Sequence, residues 1–214
     1  MQNKPITIML VDDHAVVRAG VRRLLEQDTR YSVVAECDSG ERAYQLFRDV
    51  NPDITIMDLS MPGMGGLEAL TRILARAPLA KLLVLSMHEN AVFACQALKA
   101  GAFGYVAKTG LAEELLIALE QISKGQTYTN AHFAQKIAQQ ISRHDNHVIE
   151  QLSAREFEIF RLLADGNDVI NIGKLLNISA KTAANYQTSI KQKLGITNSV
   201  ELVRLALKSG LINA

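Results

Sequence analysis

Five short apolar runs punctuate the first 124 residues, and each is followed by a segment with helical periodicity. The runs are "ITIMLV" (Ile6–Val11), "YSVVAE" (Tyr31–Glu36), "DITIMD" (Asp53–Asp58), "KLLVLS" (Lys81–Ser86) and "GYVAK" (Gly104–Lys108). Polar residues or glycine bound them, and several are rich in Ile and Val, as strands are. Three are almost continuously apolar, the mark of strands buried on both faces of a parallel sheet. Between them lie segments of about 10–15 residues, the spacing of βαβ units. Val17, Val21, Leu24 and Leu25 form one helical stripe; Leu111, Leu115, Leu119 and Ile122 form another. Five βα units predict an α/β fold, a doubly wound five-stranded parallel sheet. Its ligand crevice lies at the carboxyl ends of the strands.

After Gly125 the strand signal stops. "NAHFAQKIAQQI" (Asn130–Ile141) predicts a short helix, and the polar "SRHDNHVIEQ" (Ser142–Gln151) predicts a linker. From Leu152 the pattern is helical throughout. "SARE" (Ser153–Glu156) is a capping box, in which Ser accepts from the amide three residues on while Glu reaches back. "NSVE" (Asn198–Glu201) repeats that logic with Asn. Gly166, Gly195 and Gly210 stand where helices stop. The chain therefore divides into residues 1–125, a helical linker 126–151, and a small all-α domain 152–214. Its expected core is Leu162, Leu163, Ile172, Leu175, Leu176, Ile178, Ala183, Ile190, Leu194, Leu202, Leu205 and Ala206.

Charge does not announce a partner. Residues 1–145 carry 15 basic and 16 acidic groups, and the remainder 8 and 6. Nucleic-acid binding then has to come from local placement or dimerisation rather than from a strongly basic surface. No apolar run reaches the ~18 residues of a membrane span, and the start lacks a signal-peptide pattern. Cys37 and Cys95 sit in apolar segments without metal or redox spacing, and read as buried thiols in a reducing compartment. The expectation is a cytoplasmic protein without a membrane partner.

The strand ends collect chemistry. Asp12 and Asp13 follow the first strand, Asp58 ends the third, Ser86 the fourth and Lys108 the fifth. Three carboxylates in one crevice repel one another unless a divalent cation joins them, and Mg²⁺ prefers such oxygen ligands, often with a phosphate. A carboxylate beside Mg²⁺ can attack a phosphoryl group and form an acyl phosphate. Lys108 can neutralise phosphoryl oxygens, and Ser86 can donate to one. Taken singly, an Asp at a strand end is more often a cap or turn residue. The combination is what points to a site. A dehalogenase-type phosphatase also phosphorylates an Asp but needs a second acid two residues on, where this chain has Ser60. A flavin-phosphate site is disfavoured by the acids of "DDH".

"LVDDH", "MDLSMPGMGGLEAL", "VLSMHE" and "GAFGYVAK" resemble the receiver domain of bacterial two-component response regulators, over about residues 5 to 125. The resemblance implies a flavodoxin-like fold and a phosphoacceptor, Asp58, served by a sensor histidine kinase. It implies Mg²⁺ held by Asp13, Asp58 and the Ser60 carbonyl, with Asp12 acting partly through water. Lys108 would pair with the phosphate. Ser86 and Tyr105 would form the switch, the hydroxyl drawn to the phosphate and the ring turning inward. Two departures stand out. Thr109 follows Lys108 where many receivers have proline, and Ser86 replaces the commoner threonine.

"LSAREFEIFRLLADG", "NISAKT" and "KLGITNSVELVRLAL" resemble the LuxR-type helix-turn-helix of the NarL/FixJ family, over residues 152 to 212. Asp168 to Leu176 would be the scaffold helix and Ser179 to Leu194 the recognition helix. A recognition helix presents its N-terminal part to base edges. By resemblance Ala184, Asn185 and Thr188 face bases, while Lys181, Thr182 and Lys191 hold phosphates, which position rather than specify. Against the family pattern, Ala183, Tyr186 and "QTS" leave this helix unusually neutral, and "DVINIG" makes the scaffold helix unusually apolar, with Val169 and Ile170 more exposed. Few phosphate contacts mean a shallow salt dependence.

Together these readings imply a non-enzymatic, phosphorylation-controlled transcriptional regulator. It would dimerise on phosphorylation and bind a double-stranded operator with two half-sites. Val16, Arg23, Leu116 and Glu120 are candidate dimer-face residues. The alternative is a phosphorylation-controlled protein-interaction module whose helix-turn-helix no longer reads DNA.

Overall fold

The structure is a computed structural model that describes residues 4–141 and 148–212. Residues 142–147 of the expected polar linker lie outside the described residues. The chain divides into two units. One is Met1–Glu89 with Ala97–Ala131; the other is His132–Ala214 with Asn90–Gln96.

The first unit is built on strands β1 (Ile6–Val11), β2 (Tyr31–Cys37), β3 (Ile54–Met57), β4 (Leu82–Ser86), β5 (Gly104–Ala107) and β6 (Tyr128–Thr129). They form one parallel sheet in the order β2-β1-β3-β4-β5-β6. The five expected strands are present, each end within one residue of its expected place. The sheet also carries a sixth, two-residue strand in the segment read as linker. Two residues carry too little pattern to announce themselves; β6 forms because the Tyr128 amide meets the Phe103 carbonyl at 2.8 Å.

Helices α1 (Ala15–Glu26), α2 (Gly40–Val50), α3 (Gly66–Arg76), α4 (Ala91–Lys99) and α5 (Leu111–Ser123) follow the first five strands in turn. Successive strand residues face opposite ways. Ile8, Leu10, Ile54, Ile56, Leu83, Leu85 and Val106 pack with Val21 and Leu25 of α1 and Leu115, Leu119 and Ile122 of α5 in one buried cluster. Every residue of β3, β4 and β5 is buried, which is why those runs are almost continuously apolar, with Thr55 and Ser86 the polar exceptions in β3 and β4. At the sheet edge Ile8 pairs with Val33 and Met9 with Ala35, so Val34 is an extra, exposed residue that bulges the strand.

The second unit contains α6 (Ala131–Ile141), α7 (Ala154–Ala164), α8 (Val169–Leu175), α9 (Ala180–Leu194) and α10 (Ser199–Ser209). Both halves of the Ser153–Glu156 capping box are made. Asp168 and Ser179 cap α8 and α9 by accepting from Asn171 N and Thr182 N. Asn198 caps α10 by accepting from Glu201 N, and Glu201 Oε2 accepts from the Thr197 amide at 2.7 Å. Gly195 and Gly210 close their helices in the left-handed region, at φ 65° and 73°. Most of the expected core is buried, joined by Phe157, Ile159 and Phe160 of α7. Leu175 is a correction: it is 42% exposed, on the last turn of a helix only seven residues long. That turn is held instead through backbone, where Arg155 donates to the Leu176 carbonyl at 2.8 Å. Ile170 of α8 is exposed as well.

Candidate functional site

The sheet order creates the first site. β1 and β3 are neighbours, with Val11 opposite Met57, so Asp12 and Asp58 leave the sheet side by side. The Asp58 amide donates to the Val11 carbonyl at 2.8 Å and locks that step. β5 lies two strands away, and the Lys108 side chain spans the distance. Its Nζ stands 2.7 Å from Asp12 Oδ2 and 2.9 Å from Asp58 Oδ2. All three side chains are buried. A buried ammonium shared by two carboxylates offsets part of the charge that desolvation makes costly. Even so, burial holds the Asp58 carboxyl above its usual range; the Asp12 charge adds to this, and Lys108 opposes it.

Asp13 is partly exposed at the mouth. One oxygen each from Asp12, Asp13 and Asp58, and a ring nitrogen of His14, lie within 4.8 Å of one another. Three hard carboxylates without a thiolate suit Mg²⁺, so the donor set fits the ion. His14 is an addition to the residues read from sequence. It begins α1 without capping it, and its Nδ1 lies 2.9 Å from Asp13 Oδ1.

Ser60 is tied to the acceptor through its amide, 3.3 Å from Asp58 Oδ1, and its hydroxyl lies 3.0 Å from His88 Nε2. His88 links the remaining predicted residues. Its amide donates to Ser86 Oγ at 3.2 Å, and its carbonyl accepts the Tyr105 hydroxyl at 2.6 Å. The Tyr105 ring is 0% exposed. Burial pushes its phenol pKa up, against a hydrogen bond with Ser86. Thr109, in place of proline, donates to Glu89 Oε1 at 2.6 Å. His88 sits two residues past Ser86, a spacing visible in sequence; that its backbone would join Ser86 to Tyr105 was not.

The second site is α9. Ala183, Ile190 and Leu194 face the bundle, leaving Lys181, Asn185, Thr188 and Gln192 exposed and Thr182, Ala184 and Lys191 half-buried. All six predicted DNA-contact residues thus share one helix. The Thr182 hydroxyl lies 2.8 Å from Ser179 Oγ within the cap, and the Thr188 hydroxyl donates to the Ala184 carbonyl at 3.1 Å. Sequence reasoning missed the part played by Glu156 here. Beyond its capping bond it accepts from Ser189 Oγ at 2.8 Å and Lys193 Nζ at 2.6 Å, fastening α9 to α7.

Known proteins carry both halves. Residues 8–120 match the response regulator receiver domain family, and residues 150–206 match the bacterial regulatory proteins of the luxR family. The chain is 37% identical to the response regulator GacA of Pseudomonas aeruginosa, over 98% of this chain and 99% of that protein. It is likewise 37% identical to the response regulator UvrY of Escherichia coli K12, over 98% and 97%. Among solved structures, RcsB of Salmonella enterica serovar Typhimurium, bound to promoter P1flhDC in the presence of phosphomimetic BeF3-, superposes with a TM-score of 0.71. That likeness is at 30% identity, over 94% of this chain and 98% of that one. No helix among the described residues is long and apolar enough to cross a membrane. A receiver sheet followed by a LuxR-type helix-turn-helix DNA-binding domain, matched end to end, makes this chain a two-component response regulator of the NarL/FixJ family, a transcription regulator rather than an enzyme.

Proposed function

We propose that Asp58 accepts a phosphoryl group from the phosphohistidine of a sensor kinase, and that this promotes dimerisation on an operator with two half-sites. The observation that carries this reading is the Lys108 ammonium shared between Asp12 and Asp58 in a buried crevice. In the transfer the P–N bond of the donor breaks and a P–O bond to Asp58 forms; the donor imidazole keeps the electron pair. Bound Mg²⁺ supplies charge neutralisation for the phosphoryl oxygens. Asp13, Asp58 and the Ser60 carbonyl would hold it, with Asp12 acting partly through water. Lys108 exchanges its contact with Asp58 for one with the phosphoryl group. The Ser86 hydroxyl donates to a phosphoryl oxygen, and the shared contacts of Ser86 and Tyr105 with His88 carry the change along the loop before α4.

On α9, Asn185 can bond an adenine edge in the major groove. The Thr188 hydroxyl is committed to helix backbone, which leaves its methyl, with Ala184, for thymine methyls. Lys181, Thr182 and Lys191 would hold phosphates. The half-site then leans towards A·T. Val16, 86% exposed on α1, together with Arg23 and Glu120, supports a dimer face on α1 and α5. Leu116 packs inward, and Ile117 takes its place on that face.

The test is a binding selection over random duplexes at low salt, with the protein phosphorylated by acetyl phosphate and with the Asp58→Asn variant. Wild type is expected to take up phosphate and enrich a two-part motif, and the variant to do neither. Phosphate uptake undiminished in the variant rejects the acceptor. A phosphorylated protein that enriches no motif rejects the reading of α9.

A further inference from the structure

The loop from Leu59 to Gly65 carries the groups next to Asp58, and it is gripped from a helix that contributes nothing to the crevice itself. At the near end the Gly66 amide donates to the Leu59 carbonyl at 3.0 Å. A Cβ on Gly66 would overlap the Asp58 carbonyl oxygen. At the far end the Met64 amide donates to Glu41 Oε1 at 2.7 Å, across 23 residues of sequence. Glu41 lies in the first turn of α2. Its neighbour Gly40 is buried, and a Cβ there would overlap the Met64 carbonyl oxygen. Between the two anchors Gly63 takes φ 73°, a conformation side chains disfavour. Met64 is thus held on one side by a carboxylate and pressed on the other by bare backbone.

We propose that Glu41 is a positioning residue for phosphorylation: by holding the Met64 amide it keeps the Leu59–Gly65 loop, with the Ser60 carbonyl, ordered for the divalent cation. The inference rests on the reading of Asp58 as a Mg²⁺-dependent phosphoacceptor. A ligand that must order its own binding loop loses affinity by the cost of that ordering, and a loop fixed beforehand spares it. Glu41 is suited to the task because a carboxylate makes a stronger hydrogen bond to an amide than a neutral acceptor does.

The experiment uses the full chain as wild type, Glu41→Ala and Glu41→Gln. Mg²⁺ binding is measured by calorimetry, Met64 amide exchange by NMR, and phosphorylation by acetyl phosphate across a Mg²⁺ series. Glu41→Ala is expected to bind Mg²⁺ about tenfold more weakly, the equivalent of ~1.4 kcal/mol. Its Met64 amide exchanges faster, and phosphorylation needs more Mg²⁺ while reaching the wild-type maximum. Glu41→Gln keeps an acceptor oxygen and stays within about twofold of wild type. A merely structural role would lower the melting temperature of Glu41→Ala and leave its Mg²⁺ dissociation constant unmoved; that result overturns the proposal. So does a Gln variant as impaired as the Ala variant. A wild type that takes no phosphoryl group at any Mg²⁺ concentration rejects the acceptor reading itself, before the variants are compared.

Discussion

Glu156 does two jobs with one carboxylate, and only one of them is written in its local sequence. The capping box is legible because its partners are three residues apart. The bonds to Ser189 and Lys193 span 33 and 37 residues, and no local pattern encodes them. Burial raises the Glu156 pKa, but the Lys193 ion pair, the Ser153 amide and the Ser189 hydroxyl outweigh it and hold the group at about 2, below its ordinary 4.5. A depressed carboxylate contributes stability that is complete above the unfolded pKa and lost as pH falls towards the folded one. Denaturant unfolding of wild type and Glu156→Gln should therefore differ most above pH 4.5, and the gap should close towards pH 2. A gap that stays constant over that window argues against the paired carboxylate. Glu156→Ala removes the capping bond and the acceptor of Ser189, while Lys193 stays solvated, and costs about 2 kcal/mol. At the crevice the acids, the hydroxyl and the lysine were all legible as strand-end residues. The shared ammonium and the His88 relay were not, because they depend on which strands become neighbours.

At the scale of elements, the nearly continuous apolar runs of β1, β3 and β4 marked the strands to within a residue, since burial on two faces favours apolar residues on both. β6 escaped because a two-residue strand is defined by its neighbour rather than by its own sequence. α8 misled in the opposite sense. Leu175 was expected in the core, yet it stays exposed, as Ile170 was expected to, because a helix of two turns can turn only one face to the bundle. For α9 the neutral stretch sets two expectations. Asn185→Ala should cost about 1–3 kcal/mol of discrimination at one base pair, read as a flattened preference in competition binding. Lys191→Ala should weaken binding evenly across sequences and reduce the salt slope by about one. Lys193 belongs to neither class: its charge is satisfied by Glu156, so its replacement should disturb the fold of the domain before it disturbs the salt slope.

At the scale of the molecule, the formal charge of +1 leaves little general attraction for a polyanion, so the proposed function relies on pairing two recognition helices for affinity. Sedimentation with and without the phosphate mimic beryllofluoride should show a monomer becoming a dimer, and Val16→Glu should block that change. A dimer that persists in the variant would place the interface elsewhere. Both halves were legible from the grammar of the chain, short apolar strands alternating with helical stripes and then helical stripes alone, because each half has its own core. The position of Tyr105 bears on the dynamic range of such a regulator. Its ring is enclosed, and its hydroxyl sits on the His88 carbonyl. To the extent that this pose is the output-competent one, a signal can raise output by no more than the reciprocal of the fraction of molecules that hold it at rest. The resting tone of such a regulator is then tuned by whatever loosens a single phenol from a single carbonyl.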